Sequence, residues 1–164
     1  MFDVRATRKS DLAALDALLA RSYPILLRPD YPPSVLVTAL PIISRAQPAL
    51  IRSGTYYGVF DQGELVGAGG WTRAAPGGQK DLPKVAHIRH VITDHTRTRQ
   101  GIGRALMARV LADARKAGVA RLACQSTRTA VPFYRAIGFE SLGDIQVPLR
   151  PGITFPAVKM QMLL

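Results

Sequence analysis

Two hydrophobic periods take turns along this chain. Residues 1–7 alternate apolar and polar side chains and predict an opening strand. Leu12, Leu15, Leu18 and Leu19 then recur at three- and four-residue spacing, so a helix follows, with Ser10 as its expected cap and Pro24 as its expected stop. A second helical region starts near Pro33, and Pro41 and Pro48 divide it into two short helices or one kinked one. TYYGVFD and ELVGAGGWT flank Gln62-Gly63 and read as a hairpin. Gly67, Gly69 and Gly70 inside its second strand predict a bulge, or another group packed close to the backbone. The loop AAPGGQKDLP leads into a strand from Val85 to Asp94. A polar turn and Gly101 and Gly103 follow. The next helix carries Ile102, Leu106, Met107, Val110, Leu111 and Ala114 on one stripe and stops at Gly118. A short strand from Arg121 to Cys124 precedes a helix through Phe133, Tyr134 and Ile137, with Thr129 as expected cap and Gly138 as expected stop. SLGDIQVPL and FPAVKMQMLL close the chain as strands around RPGIT. Strands before, between and after helices predict a mixed α/β, three-layer architecture, with residues 1–164 as one domain.

The strand–turn–glycine–helix unit at 85–117 carries the candidate chemistry. Glycines at a helix N-terminus leave backbone N–H groups unpaired, and such a nest suits phosphate. A nucleotide-hydrolysing P-loop needs Lys-Ser/Thr after its second glycine, and here Arg104-Ala105 follow. The dinucleotide fingerprint needs glycine or alanine where Leu106 stands. Both patterns fail.

Thr98-Arg99-Gln100-Gly101-Ile102-Gly103 resembles motif A of the GCN5-related N-acetyltransferases, whose loop reads (Gln/Arg)-x-x-Gly-x-(Gly/Ala). Thr98 departs from the usual Gln/Arg, which leaves Arg99 or Arg104 as the basic contact to pyrophosphate. AVPFYRAIGFE resembles motif B of the same superfamily, at the right distance and in the right order. The resemblance implies a central, mostly antiparallel sheet of six to seven strands splayed between strands 4 and 5. It further implies acetyl-CoA as co-substrate, held by Thr98, Arg99, Gln100, Gly101, Ile102, Gly103 and Arg104. Backbone N–H groups from Val91, Ile92 and Thr93 would stabilise the oxyanion, and Tyr134 would be the acid that protonates the leaving thiolate. Histone-modifying members carry a glutamate on the central strand, and counting back from the glycine loop puts His87 there, acting directly or through water. His90 and His95 compete with it.

Composition changes the picture in one respect. Apolar content of 48% is that of a globular chain, but the formal net charge of +11 asks for an anionic partner. Coenzyme A meets that demand through its phosphates; the scatter of single basic residues, with no block of five or six, argues against nucleic acid. No metal site is expected. The single Cys124 has no partner for an intrachain disulfide. Without an early apolar segment or long apolar run, a cytoplasmic protein off the membrane is the expectation. A homodimer is possible.

The expected function is transfer of an acetyl group to a primary amine of a small molecule or peptide, by direct attack. An amine near pKa ~10.4 must first lose a proton, which gives the base its task. In the resembled fold the region after residue 20 roofs the acceptor site, making Tyr23, Arg28, Tyr31 and Arg45 candidate contacts, with Trp71 a further one or a core residue. An aminoacyl-tRNA or protein acceptor, and a non-catalytic CoA-binding module, are the rival readings.

Overall fold

A computed structural model describes residues 1–164 and arranges them as β1 (Asp3–Ala6), α1 (Leu12–Leu27), α2 (Pro33–Ile43), α3 (Pro48–Arg52), β2 (Tyr56–Asp61), β3 (Glu64–Thr72), β4 (Val85–Thr93), α4 (Ile102–Lys116), β5 (Arg121–Ser126), α5 (Val131–Ile137), β6 (Glu140–Arg150) and β7 (Ile153–Leu163). The seven strands make one sheet in the order β1-β2-β3-β4-β5-β7-β6. Every neighbouring pair is antiparallel except β4 and β5. That parallel pair is joined only at Val85, Ala86 and His87, opposite Arg121, Leu122 and Ala123, and beyond it the strands part. The expected splay between strands 4 and 5 is therefore present.

Helices cover both faces. α4 and α5 pack on one, where Leu106, Met107 and Val110 meet Val59, Leu122 and Met160. α1, α2 and α3 cover the other, where Leu15, Leu18 and Leu19 meet Tyr56, Phe60 and Phe155. The glycines of β3 have the second of the two predicted causes as well as the first. A Cβ at Gly67 would sit 2.6 Å from Ile102 Cγ2, and one at Gly69 would sit 2.7 Å from Val91 Cγ2 and 2.9 Å from Leu106 Cδ2. Without side chains there, the first turns of α4 press directly onto β3.

Three local expectations are corrected, and the alternative left open for Trp71 is decided. α1 runs through Pro24 to Leu27, because Tyr23 and Leu27, one turn apart, are both buried and their packing outweighs the missing hydrogen bond. Ser10 does not cap it; Asp11 sits at the cap, its carboxylate accepting from Arg8 N at 2.7 Å and from the Arg5 guanidinium at 2.9 and 3.1 Å. Thr129 does not cap α5 either. Its hydroxyl is buried without a partner, and Thr127 Oγ1 accepts from Ala130 N at 3.2 Å instead. Trp71 is a core residue on the α4 side, donating from Nε1 to Tyr57 Oη at 3.2 Å. No helix is long and apolar enough to cross a membrane.

Candidate active site

Where β4 leaves β5 it also kinks against its other neighbour. Ala68 pairs with Ile92 and Gly70 with Arg89, so Gly69 stands opposite both His90 and Val91, a β-bulge. His90 takes the bulge position with φ +50°, a left-handed conformation uncommon for a side-chain-bearing residue. Two buried tyrosines hold the kink: Tyr56 Oη donates to His90 O at 2.7 Å and Tyr23 Oη donates to Val91 O at 3.0 Å. The His90 ring stacks on Tyr23 with centroids 5.8 Å apart. Its Nε2 lies 2.7 Å from Ile43 O, and a carbonyl only accepts, so Nε2 carries the proton. Nδ1 is then a lone pair, buried and without a partner. Burial, with the nearby Arg89, holds His90 below its ordinary pKa against the opposing pull of the Ile43 bond.

Between the parted strands lies a crevice of about 170 Å³, walled by Tyr23, His90 and Val91 on one side, Gln125, Ser126 and Thr127 on the other, and Tyr134 from α5. Burial raises the Tyr134 phenol well above its usual value, and the neighbouring Cys124, Tyr23 and Tyr56 add to the effect. Tyr134 is thus a proton holder at neutral pH. Burial also pushes the Cys124 thiol up to about 12, which makes it inert as a nucleophile.

His87 does not share that crevice. It lies in an adjoining cavity of about 300 Å³ on the sheet face that α1 covers further along. Gln125 and Val147 line both spaces and connect them. His87 Nε2 is buried without a partner, and burial, then Arg89, lowers its pKa. His95 is elsewhere, its Nδ1 3.2 Å from Ser22 Oγ.

The glycine loop has the form its sequence predicts. Arg99 at φ +62° and Gly101 at φ +84° bracket Gln100, an alternation that turns main-chain N–H groups inward. The first bond of α4 runs from Ala105 N to Gly101 O, and no side chain caps the helix. The amides of Ile102, Gly103 and Arg104 are left free. Arg97 is committed to Asp61 and Gln100, whereas Arg99 and Arg104 are exposed and pair with no acid. Thr98 is exposed beside them. Ile102 contributes only its main chain, since its side chain is buried under β3. Ile92 likewise points into the core, and Thr93 pairs with Gly67. Gly103 has a reason for being glycine other than phosphate approach: a Cβ there would sit 2.7 Å from Phe133 Cε1, so α4 and α5 close on each other at this point.

The Acetyltransferase (GNAT) domain model matches residues 29–164. The chain belongs to the GNAT acetyltransferase family. Among solved structures, the PaiA N-acetyltransferase from Thermoplasma acidophilum, in complex with coenzyme A, shares the GNAT fold at a TM-score of 0.75, with 15% identity over 100% of this chain and 99% of that one. A GCN5-related N-acetyltransferase from Rhodopseudomonas palustris superposes at 0.78, with 17% identity over 99% and 95% of the two chains. The ribosomal-protein-alanine N-acetyltransferase from Brucella melitensis superposes at 0.67, with 21% identity over 99% of each. Comparison with curated proteins returns no match.

Three acceptor-contact candidates from the sequence are reassigned by geometry. Tyr31 donates to Pro156 O at 2.7 Å and accepts from Arg128 N at 2.8 Å, tying β7 to the β5–α5 loop. Arg28 and Arg45 are exposed and line neither cavity. Tyr56, Gln125 and Ser126 were not singled out in the sequence. The only signal for the last two was a polar turn of sequence, QST, at the end of an apolar strand.

Proposed function

We propose that residues 1–164 form one acetyl-CoA-dependent N-acetyltransferase domain that acetylates a primary amine. The observation that carries the reading is the coincidence of three features at the β4/β5 split: free amides at Ile102–Arg104, unpaired Arg99 and Arg104, and a proton-holding Tyr134 in the crevice. The free amides and cations fit a pyrophosphate, and the parted strands leave room for an extended arm along Val91, Ile92 and Thr93. Acetyl-CoA, when bound, supplies an acetyl group activated as a thioester.

The rest falls to the protein. The amine must lose a proton before its nitrogen can form the amide bond, and the departing sulfur must gain one. Tyr134 Oη supplies the second proton. Because burial makes it a weaker acid than a free phenol, it releases the proton only as charge builds on the sulfur. His87, kept neutral by burial, takes the first proton, through water across the junction at Gln125. Tyr23 and Tyr56 lock the bulge that aims the main chain of Val91.

The test is thiol release from acetyl-CoA against a panel of amines, run beside a calorimetric titration with acetyl-CoA. The reading expects micromolar-range binding, on the order of −8 kcal/mol, and amine-dependent thiol release. Binding without release for any amine would leave a CoA-binding module; absence of binding would remove the assignment of the glycine loop.

A further inference from the structure

We infer that the acceptor amine carries a carboxylate at its far end, and that Arg121 holds it in the cavity around His87. This rests on the acetyltransferase reading and names the substrate class for it. Three cations reach the cavity, Lys80 from the loop before β4, Arg121 from β5 and Lys159 from β7, and no aspartate or glutamate lines it. Of the carboxylates on flanking segments, Asp81 and Glu140 are engaged in hydrogen bonds, and Asp144 on β6 is exposed to solvent. Asp81 Oδ1 accepts from Ala75 N at 2.9 Å, and Glu140 Oε1 accepts from Gln161 Nε2 at 2.7 Å. Arg121 spends one donor on Gln161 Oε1 at 3.0 Å and keeps the rest of its guanidinium fork, the group best shaped for a carboxylate.

Strand register gives the cavity a direction. Arg121 stands at the closed end of the β4/β5 pair, opposite Val85; Ala123 follows, opposite His87; Gln125 comes next, paired with Lys159 and shared with the Tyr134 crevice. Alternate residues on β5 face the same side, so a ligand passes from Arg121, past His87, to Gln125 and Lys159 at the mouth of the crevice over about 13 Å of strand. An elongated molecule with an anion at one end and an amine at the other fits that order: an ω-amino carboxylate or a short acidic peptide. His87 then lies between the two ends, where it can reach the ammonium.

The probes are a ladder of ω-amino carboxylates against alkylamines of the same chain length, whose amine basicities match. The expected result is a preference of about tenfold or more in kcat/KM for the carboxylate member at the best length, carried by KM, and erased in Arg121→Gln. A second readout needs no turnover. The chain has three histidines, so His87 is assignable by NMR, and bound carboxylate should raise its pKa, because nearby negative charge favours the imidazolium. Equal use of both ladders, or a His87 titration that the carboxylates leave unmoved, overturns the inference. If no amine is acetylated, the acetyltransferase reading fails, while the His87 titration in wild type and Arg121→Gln still decides whether the cavity binds carboxylates.

Discussion

The two cavities beside the β4/β5 split share Gln125 and Val147 and differ in nearly everything else. The crevice is walled by tyrosines, aliphatics and main chain, and its key groups are fixed: the carbonyls of His90 and Val91 are each held by a tyrosine hydroxyl. The His87 cavity is larger, walled by glutamines and cations, with His87 Nε2 left unpaired. Preorganised main chain is what bond-making needs, whatever the acceptor. A cationic wall of long side chains is what selection among acceptors needs. In the proposed reading the crevice contributes fixed main chain and Tyr134, and the larger cavity contributes His87 and the long cationic side chains.

The largest expected effect separates the two at once. Tyr134→Phe should lower kcat about a hundredfold or more while acetyl-CoA affinity changes little, because the hydroxyl matters only as the sulfur leaves. Pre-steady-state thiol release with calorimetry of acetyl-CoA measures both. A variant with undiminished turnover would make Tyr134 a core residue of the α4 side, where its ring already packs against Phe133 and Phe139 with centroids 5.2 and 5.3 Å away.

That division also explains what was legible beforehand. The glycine loop and the helix behind it could be read because they depend on backbone rules: Gly101 at positive φ, free amides at a helix start, and a stripe from Ile102 to Ala114. The splay of the sheet came only from the family resemblance. The position of His87 on β4 could be counted, but not the cavity it faces, which is made by strands β5, β6 and β7 far along the chain. Pro24 promised a helix end just after Tyr23, and only the packing of Leu27 carries α1 a further turn. His90 needed the bulge to turn it inward, and the run Gly67–Gly70 hinted at a bulge without saying which strand would carry it.

A second change should strike the crevice and spare the His87 cavity. Gly69→Val forces a side chain against Val91 and Leu106, where even a Cβ finds 2.7 and 2.9 Å. Overpacking of this kind costs about 1–3 kcal/mol, which denaturant titration would read. Because Val91 belongs to the bulge, kcat should fall with stability, whereas the His87 NMR titration should stay as in wild type. A shifted His87 titration would mean that the two spaces deform together.

Gly103→Ala asks which constraint the second loop glycine serves. The Cβ clash with Phe133 predicts a loss of about 1–2 kcal/mol that Phe133→Ala relieves in the double variant. If packing is the whole reason, acetyl-CoA affinity returns together with stability. Affinity that stays low in a stable double variant would show that the methyl itself blocks the ligand.

The smallest effect is the pH response, and it ranks the two spaces by dryness. Burial lowers both His90 and His87, and His90 is the more deeply buried. A depressed histidine leaves stability intact above its unfolded value near ~6.5 and removes it as pH falls through the folded value, because the unfolded chain takes up the proton first. Melts at about pH 7.5 and about pH 5.5 should therefore show an acid loss that His90→Gln reduces more than His87→Gln does. Glutamine at 90 can still donate to Ile43 O, so the comparison isolates the charge from the hydrogen bond. An equal reduction in both variants would mean that water reaches His90 as freely as it reaches His87.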